Sequence, residues 1–398
     1  MNFKHATIVP LIGGETLGQE LAFGTPPEYF MSYEAFWNND KHIVNHYEDI
    51  PYYVLDKNEH PDNKVDVIGT VCPCAGLSQL SHGYGDDNAN NKWMIETANY
   101  VLGELKPRVF WGENAPGFAG KIGDKIRNQL YKIGLDNGYT MTVYRTKSLF
   151  HGVSQVRERS FYFFWRDTKT PMLSYYNRPR IKIEDTITSV KSNFQMEPIN
   201  TKIPSRDDPY YRFALEHVHG GITHAEFCKI IEPANARGND ILSYLEKIGT
   251  MYEDIIDWMG KNDYPREVEK CKSRKAKLEA GYNIMRRGTV IPRDYIGAFV
   301  GHYPTSLTHP VEDRYITYRE AMSIMGMPEN FELLDQKNCV NHICQNVPVQ
   351  TACDMATEIL AYLNGEREMV DSSLIFQYNH SKTHDIKSNN TTLEAFLQ

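Results

Sequence analysis

Apolar runs that break into glycine or proline alternate with amphipathic stretches through the N-terminal part of this chain. Ile8–Val9–Pro10–Leu11–Ile12–Gly13–Gly14 reads as a strand running into a glycine turn, and Leu17–Ala22 as the opening of a helix. Tyr29–Phe36 is a second strand candidate. Val65–Val71 is rich in β-branched residues, which suit a buried strand, and it breaks at Pro73, Gly76 and Ser78 into a loop. A helix is expected around Trp93–Leu105, a strand over Arg108–Trp111 and a helix over Ile122–Ile133 that ends at Gly134. Two strands are expected between Tyr139 and Trp165. This rhythm predicts the α/β class, with a mostly parallel sheet and helices on both faces.

From about Arg166 the periodicity weakens and Pro, Asn, Asp and Lys become frequent, until a helical block returns near Asp240–Met259. There Tyr252, Ile255, Ile256 and Trp258 share helical spacing and read as a core stripe. The pattern predicts a first domain over 1–166, a smaller one over 167–320, a return to the first over 321–364, and a loosely held polar tail over 365–398. No internal repeat is found.

Composition adds little that is specific. With 41% hydrophobic and 24% charged residues over 398 positions, the chain falls in the ordinary globular class. No apolar run is long enough to span a bilayer, and the start lacks the long apolar segment of a signal peptide. Seven cysteines scattered along the chain favour reduced thiols and a cytoplasmic setting. The net charge of −8 does not suggest a nucleic-acid binder, although a global charge leaves local basic surfaces possible. One such stretch holds Lys270, Lys272, Arg274, Lys275 and Lys277, followed by Arg286, Arg287 and Arg293. A solvated helix face is the plainer reading of it.

The candidate chemistry lies in an ordered set of short motifs. Pro73–Cys74 follows the Val65–Val71 strand, so its thiol stands in a loop beyond a strand's carboxyl end, where open α/β sheets place ligands. Taken alone, Cys74 reads as readily as a small core residue. Gly112–Glu113–Asn114–Ala115–Pro116 follows a second apolar strand. Gln155–Val156–Arg157–Glu158–Arg159 leads into Ser160–Phe164, and alternation along one strand places Gln155, Arg157 and Arg159 on one face. Arg319–Glu320 and Gln345–Asn346–Val347–Pro348 open helices near the end.

In this order and at these spacings the chain resembles the DNA cytosine-5 methyltransferase family. The likeness covers most of the chain except the block of about 167–300, where that family carries a variable target-recognition region. It implies a Rossmann-like methyltransferase fold with a smaller target-recognition domain, duplex DNA as substrate, S-adenosylmethionine as donor, no metal and a monomer. It makes Cys74 the nucleophile, Glu113 the acid that grips the cytosine ring, and Arg157 and Arg159 the cations that steady ring and loop. Duplex DNA buries carbon 5, so the base must be swung out. Ser78–Gly85, with Ser78, Gln79 and Ser81, would then close over it, and Gln155, Arg286 and Arg287 would add DNA contacts.

The likeness also assigns a donor site. Leu11, Ile12, Gly13 and Gly14, with Gly18, correspond to the glycine-rich turn, Asn38 to the ribose-holding position and Asp56 to the adenine contact. Asp40 and Glu34 lie close to Asn38. Pro73, Asn346 and Val347 complete the donor set. Three departures fall near it. Val9–Pro10–Leu11 replaces Phe-x-Gly, Ala75 replaces a Gln, and Cys344–Gln345–Asn346–Val347 replaces Gly-Asn-Ser-Val. They leave open drift, weaker donor binding, or an altered sulfonium donor that delivers a larger group. A transfer RNA methyltransferase of the same fold and a catalytically silent DNA-binding relative are the other readings. Cys339, His342 and Cys344 lie close in sequence, but a structural zinc site needs four ligands. His217, His219 and His224 fit DNA or loop contacts better than a metal.

Overall fold

The computed structural model describes residues 3–73, 76–78, 85, 88–231, 239–282, 284, 288–301 and 303–379. Two compact units make up the chain. The first gathers Met1–Val153, Glu158–Arg180 and Val347–Gln398, and the second Ser154–Arg157 with Ile181–Asn346.

Eight strands form the sheet of the first unit. They are β1 (His5–Ile8), β2 (Phe30–Ser32), β3 (Tyr52–Val54), β4 (Val67–Thr70), β5 (Val109–Asn114), β6 (Thr140–Lys147), β7 (Glu158–Trp165) and β8 (Leu374–Tyr378). Their order is β8-β6-β7-β5-β4-β1-β2-β3. All neighbours run parallel except β7, which is antiparallel to both β5 and β6. The winding reverses between β1 and β4, which opens a crevice at the strands' carboxyl ends. Central strands are buried on both faces and so read as unbroken apolar runs. Trp111 of β5 stacks on Phe163 of β7 at 5.8 Å, and Phe110 on Phe164 at 5.9 Å.

Helices α1 (Gly14–Phe23), α2 (Trp37–His46), α3 (Lys92–Tyr100), α4 (Asp124–Asp136) and α5 (Val349–Leu363) cover this sheet. Gly18, expected in the glycine turn, lies instead within α1 at its crossing with α5. A Cβ there would stand 2.4 Å from the Ala352 Cβ and 2.7 Å from the Cys353 nitrogen. Its glycine is a packing requirement.

Helix α5 carries two fully buried carboxylates. Asp354 meets His151 Nδ1 at 2.9 Å and Arg178 at 2.8 Å. Glu358 accepts from the Ser174 N–H at 2.9 Å and the Tyr176 hydroxyl at 2.6 Å, and pairs with Arg367 at 2.9 Å. Buried carboxylates demand such partners, and here the partners draw the 170s onto the first unit. The expected boundary at 166/167 therefore differs from the observed crossing after Arg180. Composition tracks exposure, and it does not reveal which distant acid a loop will meet.

Two other boundaries also move. Residues 321–346, expected to rejoin the first unit, stay in the second, which includes the helices Tyr318–Ile324 and Gln336–Gln345. Part of the expected polar tail forms paired strands. Met369–Val370 pairs with Thr170–Pro171, and β8 pairs with β6 along Leu374–Tyr378. As a short edge strand with only Gln377 buried, β8 carries too weak an alternation to stand out from its polar surroundings.

The second unit has its own core, built on Tyr211, Phe213, Phe227, Leu242, Leu245, Ile255, Met259 and Cys271. Tyr252, Ile256 and Trp258 pack against it half-buried. The basic stretch from Lys270 to Lys277 lies on the helix Pro265–Glu279, where Lys270, Lys272 and Lys275 pair with Glu267, Glu269 and Glu279. Those lysines are largely neutralised on a solvated face. No helix among the described residues is long and apolar enough to cross a membrane.

The α1–α5 contact yields a test. Gly18→Ala is expected to destabilise the chain by about 1–3 kcal/mol through overpacking, read from urea denaturation. Ala352→Gly should be less harmful in that background than in the native chain, because the two positions share one space.

Candidate active site

Beyond β1 the backbone takes three left-handed steps, at Val9 (φ 54°), Leu11 (φ 51°) and Gly13 (φ 96°). Glycine is at ease there, and at Gly13 a Cβ would also strike Ile43 Cδ1 at 2.3 Å. Val9 and Leu11 are not at ease: each such residue costs roughly 1–3 kcal/mol and persists only where its surroundings hold it. The Val9 N–H donates to the Met31 carbonyl at 2.8 Å, and the Val9 carbonyl accepts from Val71 at 3.2 Å. The Leu11 N–H donates to Asp40 Oδ1 at 2.9 Å. Asp40 projects from α2, is fully buried, and accepts on its other oxygen from the Tyr52 hydroxyl at 3.0 Å. Burial pushes its carboxyl from the ordinary 3.8 up to about 7.

Just past the turn, Glu15 opens α1 and is also fully buried. Gln19 donates to its Oε1 at 2.6 Å. Burial raises this carboxyl well above the usual carboxylate range, so it is held neutral.

The ends of β2 and β3 come together through Glu34 and Asp56. The Glu34 N–H donates to both Asp56 oxygens, at 3.0 and 3.2 Å, and the Glu34 carboxylate pairs with Lys57 at 3.0 Å. Both carboxylates are exposed acceptors at the crevice edge. Such acceptors suit the hydroxyl and amine groups of an adenosine, so the residues present fit a nucleoside-bearing donor.

At the end of β5, Glu113 is 2% exposed and lies 2.6 Å from Arg159 Nε. The register explains the meeting. Glu113 faces Phe161 and Asn114 faces Ser160 across the antiparallel pair. The first residues of an antiparallel strand lie at the same edge as the last residues of its parallel neighbours. The two groups are paired as ions, yet among the described residues Glu113 Oε1 and Arg159 Nε make no aligned hydrogen bond. A buried acceptor and donor left this way are ready for a third, polar group. Asn114 is turned away, with its Oδ1 accepting from the Ala115 N–H at 2.8 Å.

The family model for C-5 cytosine-specific DNA methylases matches residues 20–361. The chain belongs to this family. It is 25% identical over 318 residues to the Type II methyltransferase M.PspPI of a Psychrobacter species, a match that covers 77% of this chain and 66% of that protein. Two solved structures share the fold. One is an E. coli prophage-encoded protein assigned as a DNA modification methyltransferase (TM-score 0.57, 16% identity, 91% of this chain and 99% of that one). The other is the Entamoeba histolytica methyltransferase EhMeth (TM-score 0.52, 12% identity, 92% and 99%).

Against the family pattern, several expected residues take other places. Asn38, expected to hold a ribose, is exposed on α2, and the acid at the end of β2 is Glu34. The single strand expected to align Gln155, Arg157 and Arg159 is broken. Gln155–Val156 pairs with Ile296–Gly297 in the second unit, whereas β7 begins at Glu158. Gln155 accepts from the Phe299 N–H at 3.3 Å and donates to Met325 Sδ at 3.1 Å. Arg157 donates to the carbonyls of Phe299 and Cys344, both at 2.8 Å. Both side chains bond within the second unit, and among the described residues Arg159 is the cation paired with Glu113. Asn346 closes the second unit and donates to Met327 Sδ at 3.0 Å, while Val347 is in the core of the first.

Around β4, Pro73 is half-buried and Ser78 partly exposed. The Gly85 N–H donates to the Gly76 carbonyl at 2.7 Å, and Asn91 supports the contact by donating to Gly85 at 3.1 Å. Cys74, Gln79, Ser81, Arg286 and Arg287 lie outside the described residues. The neighbouring thiol of Cys72 is buried beside Thr70 and Thr97, and burial raises it to about 11. It is a packing residue.

Sequence reasoning missed Asp40 as a support, since a helix-borne acid reads as surface, and its value depends on where the β1 turn falls. Between pH 4 and 7 the native state holds a proton on Asp40 that the unfolded chain has released, so stability falls as pH rises through that window. Asp40→Asn removes this titration. Its stability relative to the native chain should be higher at pH 8 than at pH 5 in urea denaturation, and an equal difference at both would contradict the buried-acid account.

Proposed function

We propose that this chain transfers a methyl group from S-adenosylmethionine to carbon 5 of cytosine in duplex DNA. The observation that carries the reading is the buried Glu113–Arg159 pair at the sheet's carboxyl edge, with hydrogen-bonding capacity still open. A flipped cytosine has the complementary edge. Its ring nitrogen and amine face a carboxyl group, and its carbonyl oxygen faces a guanidinium.

Carbon 5 of cytosine is a weak nucleophile until something adds at carbon 6. The thiolate of Cys74 adds there, and the ring electrons then reach carbon 5. S-adenosylmethionine, when bound, would supply the electrophilic methyl carbon, with carbon 5 taking the methyl as its bond to the sulfonium sulfur breaks and S-adenosylhomocysteine leaving. Glu113, sharing a proton with the ring nitrogen, stabilises the electron-rich adduct, and Arg159 keeps the carboxyl and ring carbonyl in register. Loss of the carbon 5 proton to a base and departure of the thiolate restore the aromatic ring. Glu34 and Asp56 hold the donor's hydroxyls and amine, and the turn of Leu11, Ile12, Gly13 and Gly14 approaches its amino-acid part. Arg286 and Arg287 would contact DNA phosphates from the second unit. In keeping with its Type II relative, the chain is read as the modification partner of a restriction system.

The test is nucleoside mass spectrometry after incubation with isotope-labelled S-adenosylmethionine and either duplex DNA or transfer RNA. Label in 5-methylcytosine from DNA is expected. Label confined to RNA, or a heavier substituent on cytosine, overturns the reading. Cys74→Ser should abolish transfer while DNA binding survives. Cys72→Ser should retain transfer, because that thiol is buried and held protonated. Glu113→Gln should lower kcat by about 100- to 10,000-fold, the usual range for loss of a positioned acid.

A further inference from the structure

We propose that Asp40 is the positioning residue that holds the turn after β1 in its donor-binding shape. The proposal rests on the reading of that turn as the donor site. Between Val9 and Gly13 the chain alternates left-handed and ordinary steps, and two of the left-handed positions are occupied by Val and Leu. Residues with a branched or bulky side chain do not hold φ near 50° unaided. Val9 is held by strand neighbours on both sides, through Met31 and Val71. Leu11 is beyond the strand, where no ladder partner exists, and its N–H is taken by Asp40 Oδ1 at 2.9 Å.

Asp40 is itself fixed from two directions. Helix α2 carries its backbone, and Tyr52 at the start of β3 donates to Oδ2 at 3.0 Å. One carboxylate thus joins the turn after β1 to the first residue of β3, while its helix follows β2. A glycine at position 11 would adopt the same φ without strain. Asp40 does for this sequence what that glycine would do by itself. The acid sits beneath the turn at 0% exposure, so it acts through the turn's shape and does not touch the donor.

The experiment is isothermal titration of the full chain with S-adenosylhomocysteine, which binds without being consumed. Asp40→Leu should weaken binding about tenfold or more, the scale of one buried N–H left without its acceptor. Asp40→Asn should stay within about threefold, because its amide oxygen still accepts from Leu11. Leu11→Gly added to Asp40→Leu should restore most of the lost affinity, which a merely structural role for Asp40 would not produce. Should Asp40→Leu not fold, Asp40→Ser takes its place, being too short to reach the Leu11 N–H. Hydrogen exchange in the native chain reads the same contact directly, with the Leu11 amide expected to be protected. Wild-type binding with unaffected Asp40→Leu binding overturns this assignment alone, as does loss without rescue by Leu11→Gly or an unprotected Leu11 amide. Absence of binding by the wild-type chain overturns the donor reading and this assignment with it.

Discussion

A carboxylate at 2% exposure on the edge of a sheet needs a cation beside it, and the pairing of Glu113 with Arg159 is the constraint around which the first unit is arranged. Removing one member of such a pair leaves a buried charge, which costs several kcal/mol. The cation must arrive from a strand whose amino end meets the carboxyl end of β5. In an otherwise parallel sheet only an antiparallel neighbour does that, and β7 fills the role. The aromatic stacking of Trp111 and Phe110 on Phe163 and Phe164 locks this register, so the geometry of the site follows from the packing of the core.

The turn after β1 is governed by backbone strain. A glycine-rich turn would relax by itself, but Val9 and Leu11 need outside support, which comes from strand neighbours and from Asp40. Burying Asp40 and Glu15 carries its own cost, visible in the upward displacement of both acids. The first unit therefore concentrates strain and desolvated acids around its crevice, where folds commonly store them for function. Stability is supplied elsewhere, by the α1–α5 contact and the partners of Asp354 and Glu358.

Much of this arrangement was visible in the residues. The strand-breaking runs at Ile8–Gly14, Val65–Val71 and Arg108–Trp111 mark real strands, although β1 starts earlier and yields at Val9 to the turn. Glu113 was legible because Gly112–Glu113–Asn114–Ala115–Pro116 follows an apolar strand and takes its place in the ordered motifs that resemble the family. The alternation argument failed for Arg157. It assumed one continuous strand, and the chain passes between units just after that residue. The edge strand β8 was overlooked because its three apolar residues face little core, and the 170s were misplaced because their partners are nearly two hundred residues away.

Local pattern was enough to establish the α/β class, the strand ends that hold the candidate residues, and the ordered motifs that mark the family. Each depends on residues adjacent in the chain, where hydrophobic period and turn chemistry act directly. Which arginine meets Glu113, which acid lies at the end of β2, what supports Leu11 and where the units divide were matters of register and burial. Those are set by contacts between segments far apart in sequence, and a one-residue change in pairing or a single chain crossing reassigns every side chain involved.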